Sequence, residues 1–171
     1  AFINLFPNYA SPDQLGTVDY AQHVRAYLQT VRPPFLSYDH YSLMEWGDRP
    51  GYFANLETIR AEALQAGVPF WNIILATPHF DYRDPSPADL RWQVNTTLAY
   101  GGKGLAYFTY WTPDVENFRD GIIGLDGRPT LKYDVVARLN RELRGVGRHM
   151  LGLTSSAVHH WPDAPAGATV Q

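Results

Sequence analysis

A carboxylate stands among aromatic rings in Ser37-Tyr38-Asp39-His40-Tyr41, a run otherwise typical of a buried strand. An acid in such a place must be hydrogen-bonded, solvated at the strand end, or shifted in pKa. Asp39 therefore reads two ways: as a general acid/base or ligand for hydroxyl groups, or as a structural carboxylate bonded to backbone amides or to His40. Polar and aromatic side chains meet at three further places: Asn4 and Asn8 with Tyr9; Asn72 with His79; and Tyr107, Thr109, Tyr110 and Trp111. Gathered at one rim, such groups would hydrogen-bond hydroxyl edges and stack on C–H faces, which is the chemistry of sugar recognition.

Asp39 is the candidate catalytic residue. The candidate binding residues are Asn8, Tyr38, His40, Tyr41, Asn72, His79, Tyr110 and Trp111. His40 and His79 lack a carboxylate partner at ligand spacing and read as hydrogen-bonded rim histidines, so neither a metal nor another cofactor is expected. Trp111 reads as the floor of a sugar site, the other reading being a Trp packed beneath a loop. Trp71 and Trp92 read as core. Glu45 and Trp46 occupy a loop, and Asp81-Tyr82-Arg83-Asp84 reads as a surface loop with a local ion pair.

These residues need elements to carry them. Phe2 to Phe6 reads as a strand closed by Pro7, and a helix from Val18 to about Val31 follows, with Thr17 as the expected cap and Pro33-Pro34 as its stop. Phe35 to Tyr41 is the second strand. A loop through Pro50 then leads to a helix from about Tyr52 to Gln65, with Phe53, Leu56, Ile59, Ala63 and Leu64 at helical spacing. Val68 to Ala76 reads as the third strand, the following helix starts at Ser86 or Asp89 and ends near Tyr100, and Gly104 to Trp111 is the fourth strand. The last helix spans Leu131 to about Arg144, with Tyr133, Val136, Leu139 and Leu143 on one stripe. Residues 154–171 read as a tail or the start of a following β domain, leaving 1–153 as the folded unit.

Strands alternating with helices of this length imply a parallel sheet. The turn after the first strand reads Pro7-Asn8-Tyr9-Ala10-Ser11-Pro12, with no glycine-rich phosphate loop, which disfavours an open doubly wound nucleotide fold. The expected fold class is α/β: four βα units forming half of a (β/α)8 barrel. Half a barrel leaves two strand edges unpaired and its inward side chains uncovered. Two copies about a two-fold axis would close eight strands, so a homodimer is expected.

Bulk properties agree with one globular domain. Of 171 residues, 45% are hydrophobic and 18% charged, which leaves little room for a long disordered segment. A net charge of -3 supplies no basic face for a polyanion, so no nucleic acid is expected. Aromatic residues reach 14%, which favours a flat amphipathic ligand. With no cysteine, a disulfide frame and a thiolate metal site are both excluded. No apolar run reaches the roughly 18 residues of a membrane span, and no leader pattern opens the chain. A soluble chain is expected, its location open; the start at a strand-like Phe2 reads as a segment cut from something longer.

Three stretches carry a resemblance. Phe2-Ile3-Asn4-Leu5-Phe6-Pro7-Asn8-Tyr9, Leu36-Ser37-Tyr38-Asp39-His40-Tyr41, and the run from Leu98 through Gly101-Gly102-Lys103-Gly104-Leu105-Ala106-Tyr107-Phe108-Thr109-Tyr110-Trp111 resemble the last four strands of barrel glycoside hydrolases, in particular bacterial β-galactosidase-like members. Gly127-Arg128-Pro129-Thr130-Leu131-Lys132-Tyr133 with Asn140-Arg141-Glu142-Leu143 resembles their final helix. The resemblance extends to about Leu153. It implies a carbohydrate substrate and two carboxyls about 5 to 9.5 Å apart across the scissile bond. It also implies an acid on the fourth barrel strand, outside this chain, and a second carboxyl on the seventh. The corresponding strand here, Pro69-Phe70-Trp71-Asn72-Ile73-Ile74-Leu75-Ala76, has neither Asp nor Glu, so those two roles do not carry over. In a homodimer two Asp39 side chains would face one another and divide the acid and base roles. The expected function is a glycoside hydrolase-type half-barrel; the rival is a non-catalytic carbohydrate-binding or structural half-barrel, and an open-sheet enzyme with a phosphate-bearing ligand is third.

Overall fold

The computed structural model describes residues 2–160. Its elements are β1 (Asn4–Leu5), the single turn α1 (Pro12–Leu15), α2 (Tyr20–Val31), β2 (Leu36–Asp39), β3 (Leu43–Met44), β4 (Gly47–Asp48), α3 (Tyr52–Ala66), β5 (Phe70–Leu75), α4 (Pro87–Ala99), β6 (Gly104–Phe108) and α5 (Leu131–Met150). The fold is mixed α/β, with a four-stranded parallel sheet in the order β1-β2-β5-β6 and a separate β3–β4 hairpin. Among the described residues no helix is long and apolar enough to cross a membrane.

Local chemistry sets the helix ends. Ser86 accepts from the Asp89 amide while Asp89 reaches back to the Ser86 amide, and Pro87 fills the first helical position, so α4 starts where the sequence indicates. Asp19, rather than Thr17, caps α2 by accepting from the Ala21 amide; Thr17 is turned to the Gln22 side chain instead. Gly67, at φ 69°, closes α3 in the left-handed region that a β-carbon disfavours. Two expectations fall short: α5 runs on to Met150, and the stretch read as a loop before α3 contains the hairpin.

The strand register decides which side chains face which way. Asn4, Ser37, Trp71 and Gly104 stand in one row across the sheet and, by the period-two rule, share a face with Phe35, Asp39 and Ile73. The opposite face meets the helices. There Leu5, Leu36, Tyr38 and Phe70 pack with Val24, Leu28, Leu56 and Ile59, and Ile74 packs with Leu90, Val94, Val136 and Leu139.

The first face is barely covered. Phe35 stacks on Trp71 at 4.5 Å and Phe2 leans on Phe35 at 5.8 Å, yet Trp71 remains 38% exposed, so the sequence expectation that it is core does not hold. Its indole lies against β6 at Gly104, where a β-carbon would collide with the ring. Trp92 does pack inward, stacking on Tyr52 at 4.5 Å.

Of the expected tail, the described part runs back along α3 and α4: Arg60 donates to the Ser155 carbonyl, Ser155 Oγ donates to the Ala99 carbonyl, and Tyr100 meets His160 Nε2 at 2.7 Å. The rest of that expectation, 161–171, lies outside the described residues.

Candidate functional site

Asp39 ends β2 on the sparsely covered face. Asn4 Nδ2 donates to its Oδ1, and Ser37 Oγ donates to Asn4 Oδ1 at 2.8 Å. Asp39 Oδ2 has no hydrogen-bond partner among the described residues, and the residue as a whole is half-buried. No cation forms an ion pair with this carboxyl among the described residues. Burial pushes its pKa up to about 6, and the Asn4 hydrogen bond restrains the rise. A carboxyl poised there holds or gives up a proton near neutrality, the property a general acid/base requires.

The sheet opens immediately beyond Asp39. The β2–β5 ladder stops at Asp39 and Ile73, and the backbone of Leu75 is taken over by Gln93 of α4, whose Oε1 accepts from Leu75 N and whose Nε2 donates to Leu75 O. The freed chain after Asp39 carries Tyr41, whose ring meets His79, Tyr82 and Phe108 at 5.9, 5.5 and 5.8 Å. His79 stacks on Phe118 at 4.7 Å and donates from Nδ1 to the Thr77 carbonyl; burial holds its pKa below the usual histidine range. From the loop after β1, Tyr9 lies under the Arg49 guanidinium at 4.0 Å, with its hydroxyl 3.4 Å from that of Tyr82. Burial, the Tyr82 contact and the Asp39 charge keep the Tyr9 phenol protonated, and burial with the Asp39 charge does the same for Tyr41.

The mouth is held by contacts between loops. Met44 and Tyr82 form a backbone bridge, Arg83 pairs with Asp48 and Asp89 at 2.7 Å each, and Arg119 reaches Glu45 at 3.5 Å. Glu45 and the 81–84 run thus join separate loops, whereas the sequence reading gave that run a merely local ion pair. Asp84 itself pairs with Lys132.

Of the candidate residues, Asp39, Tyr41 and His79 converge at this mouth. Tyr38 does not: it is fully buried on the helix side, one step out of phase with Asp39. Asn72 likewise faces α4, donating to Thr97 Oγ1 at 2.8 Å. His40 lies behind the rim between the rings of Tyr9 and Tyr52, and neither of its ring nitrogens has a hydrogen-bond partner among the described residues. Burial, aided by the Arg49 charge, pushes its pKa down to about 4 and keeps it neutral. Asn8 ties its loop to α3: its backbone amide donates to Asn55 Oδ1 and its Nδ2 to the Gly51 carbonyl. Tyr110 and Trp111 are exposed at 58% and 53%, and no hydrogen bond or ring contact among the described residues joins them to the Asp39 group.

The sequence reading left Tyr82, Arg49 and Phe118 out of the site. All three arrive from loops, and only tertiary contacts bring them to the rings of Tyr9, Tyr41 and His79. A hollow of about 600 Å3 between the starts of α4 and α5 is distant in composition from this chemistry: its one cation, Lys132, is engaged by Asp84 and the Asp120 carbonyl. Among the described residues no cluster of three or more His, Cys, Asp or Glu could hold a metal ion. Neither the models of known protein families nor the curated proteins yield a match to this chain.

Proposed function

We propose that the chain is half of a (β/α)8 barrel of the glycoside hydrolase type, acting on carbohydrate at the C-terminal ends of its strands with Asp39 as acid/base. The observation that carries this reading is the Asp39 carboxyl itself, raised to about 6, with one oxygen anchored and the other without a partner among the described residues, below a rim of phenols and rings. Sequential order in a parallel sheet with helices against one face is the arrangement of consecutive barrel units, and it supports the half-barrel.

Completion by a second copy is part of the proposal. Among the described residues both outer strands have an unpaired edge, and beside each lies a groove of about 490 Å3, one bordered by Ile3, Phe6, Tyr27 and Val31, the other by Tyr107, Tyr110, Tyr133 and Arg141. In a barrel, these are the positions where the neighbouring unit's helix packs. Sedimentation should give twice the chain mass. A strictly monomeric species at all concentrations overturns closure by a second copy.

A binding-only reading is favoured by one observation: the strand that resembles the seventh of the barrel carries Asn72 and no acid, and Asn72 faces a helix. Chromogenic aryl glycosides separate the two. Turnover supports the hydrolase; saturable sugar binding without turnover supports the binding module; neither binding nor turnover across a broad sugar panel removes both.

A further inference from the structure

We propose that Ser37 and Asn4 are positioning residues that act on Asp39 as a relay, fixing Oδ1 as a permanent hydrogen-bond acceptor and leaving Oδ2 as the oxygen that exchanges the proton. The inference rests on the acid/base reading of Asp39 and deepens it.

The geometry starts from an ambiguity. A primary amide offers two donors on one side and an acceptor on the other, and either side of Asn4 could face the carboxyl. Ser37 resolves it. Asn4 and Ser37 are register partners on adjacent parallel strands, so their side chains stand side by side on one face, and Asp39 follows two residues later on that face. Ser37 Oγ donates to Asn4 Oδ1 while Nδ2 donates to Asp39 Oδ1, so the hydroxyl secures the orientation that the carboxylate requires.

Nothing else does this work. The groups whose charge couples to Asp39 are the phenols of Tyr9 from the β1 loop, Tyr20 from α2, and Tyr38 and Tyr41 from β2 and its continuation, all neutral at ordinary pH. Arg49, the nearby cation, stacks on Tyr9 rather than pairing with the carboxyl. The Asn4 amide is therefore the one donor among the described residues that stabilises the ionised form against burial. It also makes the two oxygens unequal. A proton on Oδ1 would oppose the donor already aimed there, so the proton resides on Oδ2, the oxygen without a partner among the described residues.

The test is a carbon-13 carboxyl titration of Asp39 in the intact chain, with Asn4→Ala, Ser37→Ala and Ser37→Thr variants. Asn4→Ala removes the donor, and the Asp39 pKa should rise by about one unit, a shift within the ordinary reach of one hydrogen bond to a carboxylate. Ser37→Ala frees the amide to turn and should give a smaller rise, while Ser37→Thr should restore the starting value. Asn4 sits on a two-residue strand, so an amide spectrum of each variant must show the fold retained; Ser37→Ala, within the better-paired β2, remains decisive should Asn4→Ala unfold. An unchanged or lowered pKa in a folded Ser37→Ala variant overturns the relay. The readout does not depend on turnover: a shifted pKa in a chain that cleaves no sugar would uphold the relay and reject the hydrolase.

Discussion

Gln93 grips Leu75 by both of its backbone polar groups, Oε1 to N at 2.9 Å and Nε2 to O at 3.0 Å. The grip occurs two residues past the point where β2 stops pairing with β5, so a helix side chain supplies the bonds that a strand no longer makes. All atoms involved are buried, and a buried amide or carbonyl without a partner costs about 1 to 3 kcal/mol. Gln93→Ala should therefore lower stability by about 2 to 4 kcal/mol in urea denaturation. Gln93→Glu should also destabilise, because its carboxylate accepts from Leu75 N but sets a buried, unpaired charge against the Leu75 carbonyl. A loss below 1 kcal/mol for the alanine variant would mean that water or a shifted strand replaces the grip.

Gly104 is required by contact rather than by backbone angle. A β-carbon there would strike the Trp71 indole, so Gly104→Ala should cost about 1 to 3 kcal/mol, the usual range for overpacking. A second change, Trp71→Leu, removes the obstacle and should recover much of that loss. The pair is thus expected to be non-additive in a double-mutant cycle, and additive losses would contradict the contact.

The buried carboxyl and the buried imidazole pull stability in opposite directions with pH. Folded Asp39 keeps its proton to about pH 6, against 3.8 for the free side chain, so the native state binds more protons in that window and stability falls as pH rises through it. His40 titrates near 4 when folded, against 6.5 when free, so the unfolded state binds more protons and stability rises over that window. His79, also depressed, adds to the histidine side. The wild-type profile between about pH 4 and 6 should be nearly flat. Asp39→Asn removes one arm, and its stability should climb by about 3 kcal/mol from pH 4 to 6.5. Above pH 7 that variant should also exceed the wild type. Parallel profiles for the two proteins would show that the opposing shifts are absent.

The strand and helix order was readable because buried strands and amphipathic helices differ in period, and because Ser86, Pro87 and Gly67 mark helix ends through local bonds. The facing of each strand was harder to read. Phe70–Leu75 is apolar on both sides, so Asn72 looked like a site residue when it is in fact a polar plug bonded to Thr97. Phase would have helped: once Asp39 is assigned to the open face, alternation sends Tyr38 and His40 to the other and keeps Ser37 and Tyr41. Arg49, Tyr82 and Phe118 had no such signal, because three separate loops meet only in the folded chain.

The acid/base role of Asp39 is tested most directly by the pH profile of aryl-glycoside cleavage by the wild type and Asp39→Asn. Asparagine preserves the volume and the hydrogen bond from Asn4, and only the titrating proton is lost. The wild-type profile should show a limb bending near pH 6, and the variant at least a hundredfold fall, the usual order for removing a general acid/base. Undiminished cleavage by Asp39→Asn, with the same profile, would contradict that role.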